Sequence, residues 1–126
     1  MQSATTLAGR RVLLIEDEML VAMLIEDALV SVGCDVAGPV SRVDAALAMV
    51  RAGTKIDAAL MDLNLNGHSA IPVADALREH GIPFLVLTGY GTAALPEPHQ
   101  GAPVISKPFD ATHLLDSLRR LLVQDA

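Results

Sequence analysis

The chain has 126 residues, 52% of them hydrophobic, yet it holds only two Phe, one Tyr and no Trp. That length suits one compact domain with an aliphatic core, and the hydrophobic fraction excludes a disordered chain. A net charge of −6, from 9 basic and 15 acidic side chains, argues against nucleic-acid binding, and the single Cys34 excludes an internal disulfide and fits a reducing, cytoplasmic setting.

No apolar run reaches the length of a membrane span. The opening MQSATTLAGRR lacks the apolar stretch of a secretory signal. Residues 1–9 are expected to form a flexible leader ending at Gly9, and residues 10–124 a single domain with no linker or repeat. RVLLI (11–15) predicts a strand, followed by a helix from about Glu18 to Ser31 that ends near Gly33. CDVAGPV (34–40) predicts a second, weaker strand. Ser41 and Asp44 have the spacing of a capping box, opening a helix to about Ala52 that stops at Gly53. DAALM (57–61) predicts the third strand. After a loop containing NLNGHS, Pro72 suits the first turn of a helix running to about His80. PFLVL (83–87) predicts the fourth strand. The Gly- and Pro-containing GYGTAALPEPHQGA (89–102) predicts at most a short or frayed helix, with Pro96 and Pro98 disturbing it. PVIS (103–106) predicts the fifth strand, and Asp110 a cap for a last helix with Leu114, Leu118 and Leu121 on one face.

Five β–α units with apolar strands imply an α/β fold, a doubly wound parallel sheet covered by helices on both faces. Ligands in such sheets bind beyond the carboxyl ends of the strands. Strand one ends in Glu16–Asp17, strand three in Asp62, strand four in Thr88 and strand five in Lys107–Pro108. Carboxylates meeting at a strand edge repel one another unless a cation sits among them, and hard oxygen ligands with room for water favour Mg²⁺. A carboxylate beside a divalent ion can attack phosphorus, because the metal offsets the repulsion between two anions. Lys107 is a point charge able to hold a phosphoryl oxygen, and the Thr88 hydroxyl can donate to another.

This constellation resembles the receiver domain of bacterial two-component response regulators. It is carried by Glu16–Asp17, Asp62, Thr88 and the Lys107–Pro108–Phe109 run, whose steps of 45, 26 and 19 residues from Asp17 onward are usual for that family. The resemblance covers about Arg11 to Val123 and implies a flavodoxin-like sheet of order 2-1-3-4-5 with five helices. It implies that Asp62 accepts a phosphoryl group from a sensor histidine kinase or a histidine phosphotransfer protein. Asp17, Asp62 and the Asn64 backbone carbonyl would bind Mg²⁺, with help from Glu16. Lys107 would pair with the phosphoryl group, Thr88 would swing toward it, and the Lys107–Pro108 bond would be cis. The chain would be no enzyme beyond its own phosphotransfer and dephosphorylation.

The chain departs from the family at several points. Val104 stands where receivers commonly carry a switching aromatic, and Asn66 where a Pro is common. PFLVLTGYG partly resembles the FAT GUY subgroup of single-domain receivers: Pro83, Phe84, Thr88 and Gly89 agree, whereas Val86 and Leu87 replace Phe and Ala. Asn64 and Tyr90 flank the site. No output domain follows the last helix, so a stand-alone receiver is expected, a monomer or weak homodimer acting by phosphate relay or contact with an unidentified protein target. Glu18 is assigned to complementing the helix dipole. The histidines at 68, 80, 99 and 113 lack metal-ligand spacing and are expected at or near the surface. Met19 and Met23 lie on a helix apolar nearly all round, which leaves core packing and a partner surface both open.

Three other classes share part of this pattern. A haloacid-type phosphohydrolase needs a second Asp two residues after the nucleophile, where Asn64 stands and cannot shuttle a proton. A flavodoxin-like nucleotide binder needs phosphate-cradling amides after strand one, where EDEML offers carboxylates. A non-phosphorylated pseudo-receiver acting as a docking module is the remaining alternative.

Overall fold

Apolar runs that end abruptly in charge set both the strands and their lengths. The computed structural model describes residues 6–89, 95 and 99–124. Strands β1 (Arg11–Ile15), β2 (Asp35–Val40), β3 (Ala58–Asp62), β4 (Phe84–Thr88) and β5 (Val104–Ser106) form one sheet of order β2-β1-β3-β4-β5. All four pairings are parallel, so the expected 2-1-3-4-5 order holds. Helices α1 (Met19–Ser31), α2 (Val43–Arg51), α3 (Ile71–Glu79) and α4 (Ala111–Gln124) supply the cover.

Successive strand residues point to opposite faces, and both faces are dry. Leu14, Leu60 and Leu85 pack with Ile25 and Leu29 of α1 and Leu114 of α4. Leu13, Ile15, Met61 and Val86 pack on the other side with Val50 of α2 and Leu77 of α3. β3 and β4 are buried along their whole length, which is why they are read from sequence as unbroken apolar runs rather than alternating ones.

Several expectations need correction. Among the described residues there are four α-helices; the stretch expected to hold the remaining short helix, 89–102, lies mostly outside them, and its described end carries a 3-10 turn at His99–Gly101 before β5. Tyr90, Pro96 and Pro98 lie outside the described residues. The leader is attached at its end: Leu7 is buried in the core beside α1, and the Gly9 N–H donates to the Gly33 carbonyl at 2.8 Å. An apolar side chain with a pocket within reach gains more from burial than it loses in chain freedom. The Ser41–Asp44 capping box does not form, because Arg42 is the N-cap residue and no side chain caps α2. Asp44 instead accepts two hydrogen bonds from the Arg42 guanidinium, at 2.6 and 3.0 Å. The anticipated cap of α4 is present: Asp110 Oδ1 accepts the His113 N–H at 2.7 Å. Pro72 lies in the first turn of α3.

The segment after β3 is a two-residue β-hairpin rather than a loop, pairing Asn64 with Ser69 and Leu65 with His68. Asn66 and Gly67 at its tip have φ of 54° and 86°, the positive pair that a type I′ turn requires. Gly38 has a more severe constraint. Its φ is +103°, and a Cβ there would lie 2.6 Å from the Leu14 carbonyl oxygen and 2.9 Å from the Val40 nitrogen. The β1–β2 register shifts at this point, after which the Glu16 N–H donates to the Val40 carbonyl at 3.0 Å. Gly38→Ala is therefore expected to destabilise the fold by about 1–3 kcal/mol or more. A urea midpoint equal to wild type would contradict this account.

Candidate functional site

β1 and β3 are neighbours with Ile15 opposite Met61, so the residues that follow each of them share one crevice. The oxygens of Glu16, Asp17 and Asp62 converge there, all within 4.8 Å of one another. β5 brings Lys107 to the same place, because Thr88 pairs with Ser106 and the Lys107 N–H donates to the Thr88 carbonyl at 2.7 Å. The Lys107–Pro108 peptide bond is cis, as the resemblance implied, and so is Gly38–Pro39. Thr88 is buried at the end of β4.

The Lys107 ammonium lies 2.7 Å from Asp62 Oδ2, 2.8 Å from Glu18 Oε1 and 3.1 Å from Glu16 Oε1. Glu18 therefore belongs to the crevice and is not merely a helix-dipole acid. The sequence hides this because its partner is 89 residues away. Each carboxylate at the strand ends is also gripped by one backbone amide. Glu16 Oε2 accepts the Glu18 N–H at 3.1 Å, Asp62 Oδ1 the Asn64 N–H at 3.0 Å, and Asp17 Oδ2 the Asn66 N–H at 2.8 Å. The hairpin tip is held in turn by Asn64 Oδ1, which accepts the Gly67 N–H at 2.8 Å.

Burial pushes the Glu16 carboxyl up to about 7, against the lowering by the Glu18 amide and Lys107, and the Asp62 charge adds to the rise. Burial pulls Lys107 down, but its hydrogen bonds to Asp62, Glu18 and Glu16 win and leave it above its ordinary value. Glu16 Oε1 is buried with no aligned hydrogen bond, although the ammonium is close by. A buried carboxylate oxygen without a hydrogen-bond partner, beside two further carboxylates, is the hard donor set that a Mg²⁺ ion accepts. The residues present thus fit that cation.

Away from the crevice, α1 buries Ala22, Ile25, Ala28 and Leu29. Met19, Leu20, Met23 and Leu24 are exposed, so the two methionines form surface and not core. His68, His80 and His113 are exposed as expected, but His99 is buried. Its Nε2 lies 2.6 Å from Asp75 Oδ1, and its ring meets Phe84 edge-on at 5.9 Å between centroids. An isolated histidine carries no periodicity that would betray its burial. Val104 packs partly buried on the sheet face that α2 and α3 cover. No described helix is long and apolar enough to cross a membrane.

Residues 12–119 match the family model of the response regulator receiver domain. The solution structure of SdrG from Sphingomonas melonis Fr1 is similar, with 38% identity, 90% of this chain and 97% of that chain covered, and a TM-score of 0.79. The beryllofluoride-activated conformation of SdrG from Pseudomonas melonis Fr1 matches with 38% identity over 96% of this chain and 99% of that one, at a TM-score of 0.75. The response regulator PhyR from Brucella abortus matches with 29% identity and a TM-score of 0.80, covering 96% of this chain and 51% of that one, so this chain spans about half of that protein. Among proteins of curated function no significant match is found. A family match that runs from the second residue of β1 into α4, joined to a shared fold at 38% identity, leaves one conclusion: the chain belongs to the response regulator receiver domain family.

Proposed function

We propose that the protein is a phosphoacceptor in two-component signalling, and that Asp62 receives the phosphoryl group. The observation that carries this reading is the placement of the Asp62 carboxylate 2.7 Å from the Lys107 ammonium and within 4.8 Å of Glu16 and Asp17 oxygens. In the reaction an Asp62 oxygen attacks the phosphorus of a phosphohistidine. The new O–P bond forms as the P–N bond breaks, and its electron pair stays on the imidazole nitrogen. Glu16, Asp17, Asp62 and the Asn64 carbonyl would hold Mg²⁺, which supplies charge neutralisation when bound. Lys107 takes one phosphoryl oxygen and the Thr88 hydroxyl another. The family and the beryllofluoride-activated state of SdrG support this assignment.

The donor would be a sensor histidine kinase or a histidine phosphotransfer protein. The apolar strip Met19, Leu20, Met23, Leu24 begins at the residue after Glu18, whose carboxylate contacts Lys107, and offers a surface suited to a helix carrying the phosphohistidine. Output would pass by contact with a further protein or by onward relay of phosphate, in the cytoplasm.

Incubation with acetyl phosphate and Mg²⁺, read by intact mass, tests the proposal. The expected result is gain of one phosphoryl group that disappears when Mg²⁺ is chelated. Backbone amide shifts during a beryllofluoride titration cover the case of a short-lived adduct. Silence in both experiments would leave the docking-module alternative.

A further inference from the structure

Lys107 has a full complement of partners. An ammonium has three N–H donors, and here three carboxylates take them, so a phosphoryl oxygen must displace one. Two of these, Glu16 and Asp62, belong to the crevice floor, with side chains 0% and 12% exposed. The third, Glu18, is 60% exposed and sits on the solvent side, yet its 2.8 Å contact is shorter than either approach to Glu16. Glu18 is the N-cap residue of α1, but its carboxylate caps nothing. Its own amide instead folds back onto Glu16 Oε2, which turns the Glu16 and Glu18 side chains toward the same ammonium.

We infer that Glu18 is a positioning residue that tethers Lys107 on the solvent side of the crevice and competes with the phosphoryl group for its ammonium. The inference rests on the phosphoacceptor reading above. Phosphorylation converts one Asp62 oxygen into an O–P linkage and so removes its charge from the lysine. Lys107 must then exchange that contact for a phosphoryl oxygen. Glu16 would be occupied with the cation. Glu18 alone is left unchanged by the chemistry, and it holds the ammonium back. Its loss frees the lysine for the incoming group.

The experiment measures the rate of labelling by acetyl phosphate at saturating Mg²⁺, in which Asp62 takes the phosphoryl group and acetate leaves. Glu18→Gln is expected to label faster by about two- to five-fold, the range that a partly exposed ion pair is worth. Glu18→Asp keeps the charge but is one methylene shorter, so it should behave like Glu18→Gln. Asp27→Asn removes an exposed charge farther along α1 and should leave the rate at the wild-type value. Equal rates for Glu18→Gln and wild type would overturn the tether. So would a wild-type rate for Glu18→Asp, or an equal acceleration by Asp27→Asn, since both would mean simple repulsion of an anionic donor. The side-chain ¹⁵N signal of Lys107 separates this failure from failure of the parent reading. It should show slow hydrogen exchange in wild type and faster exchange in Glu18→Gln even if no chain is labelled, and identical exchange in both would refute the tether on its own.

Discussion

Asp62→Asn is expected to leave the protein folded while its labelling by acetyl phosphate falls to background. The substitution is isosteric and keeps an oxygen to accept the Asn64 N–H, so the hairpin that follows β3 stays anchored. It removes the negative charge facing Lys107, which still has Glu16 and Glu18. It also removes one of three crowded carboxylates, and relief of their repulsion offsets the lost ion pair. The change in thermal midpoint should therefore be small. The chemical change is complete, because the amide nitrogen lone pair is delocalised and no carboxylate nucleophile remains. Intact mass and a thermal melt on the same sample separate the two effects. Labelling of the variant at the wild-type rate would place the phosphoacceptor elsewhere and dismantle the proposed mechanism.

Stability without divalent cations should fall as the solution is made less acidic. Folded, Glu16 keeps its proton up to about pH 7; unfolded, it releases it near its ordinary value of 4.5. Between those limits the folded state binds more protons, so the contribution is fully present below about 4.5 and is lost as pH rises through about 7. The cost of ionising this buried carboxyl comes to about 1–3 kcal/mol. Mg²⁺ would ligate the ionised form and should restore most of the loss, with its largest effect at the upper end of the window. Urea denaturation at several pH values in chelator, on wild type and Glu16→Gln, reads the difference directly. Parallel stability curves for the two proteins would show that Glu16 does not titrate in this range.

Much of the fold is legible in the chain because β3 and β4 lie between two helical layers and must be apolar at every position. The same fact makes the strand ends legible: Glu16, Asp62, Thr88 and Lys107 are the points where an apolar run breaks at the open edge. What escapes is set by contacts distant in sequence or by competition among neighbours. Glu18 has the profile of a helix-opening acid until the sheet brings Lys107 to it. His99 is buried through Asp75 and Phe84, on two other elements, and nothing near it in sequence announces that. The Asn66–Gly67 pair carries the right signal for a hairpin, but arms of two residues are too short for alternation to show. Ser41 has the spacing of a cap, and Arg42 displaces it by engaging Asp44 instead.

The three backbone amides that grip Glu16, Asp17 and Asp62 have a consequence for affinity. A free carboxylate side chain must surrender its rotamers when it captures an ion, at about 0.5–1.5 kcal/mol for each immobilised side chain. Here one oxygen of each is already pinned, at 2.8 to 3.1 Å, by a donor belonging to the fold itself. The ordering entropy is thus settled when the chain folds, and the second oxygens wait at fixed separations. A crevice built this way would recognise an ion by preorganisation, favouring one that suits the spacing over one that would need the walls to move.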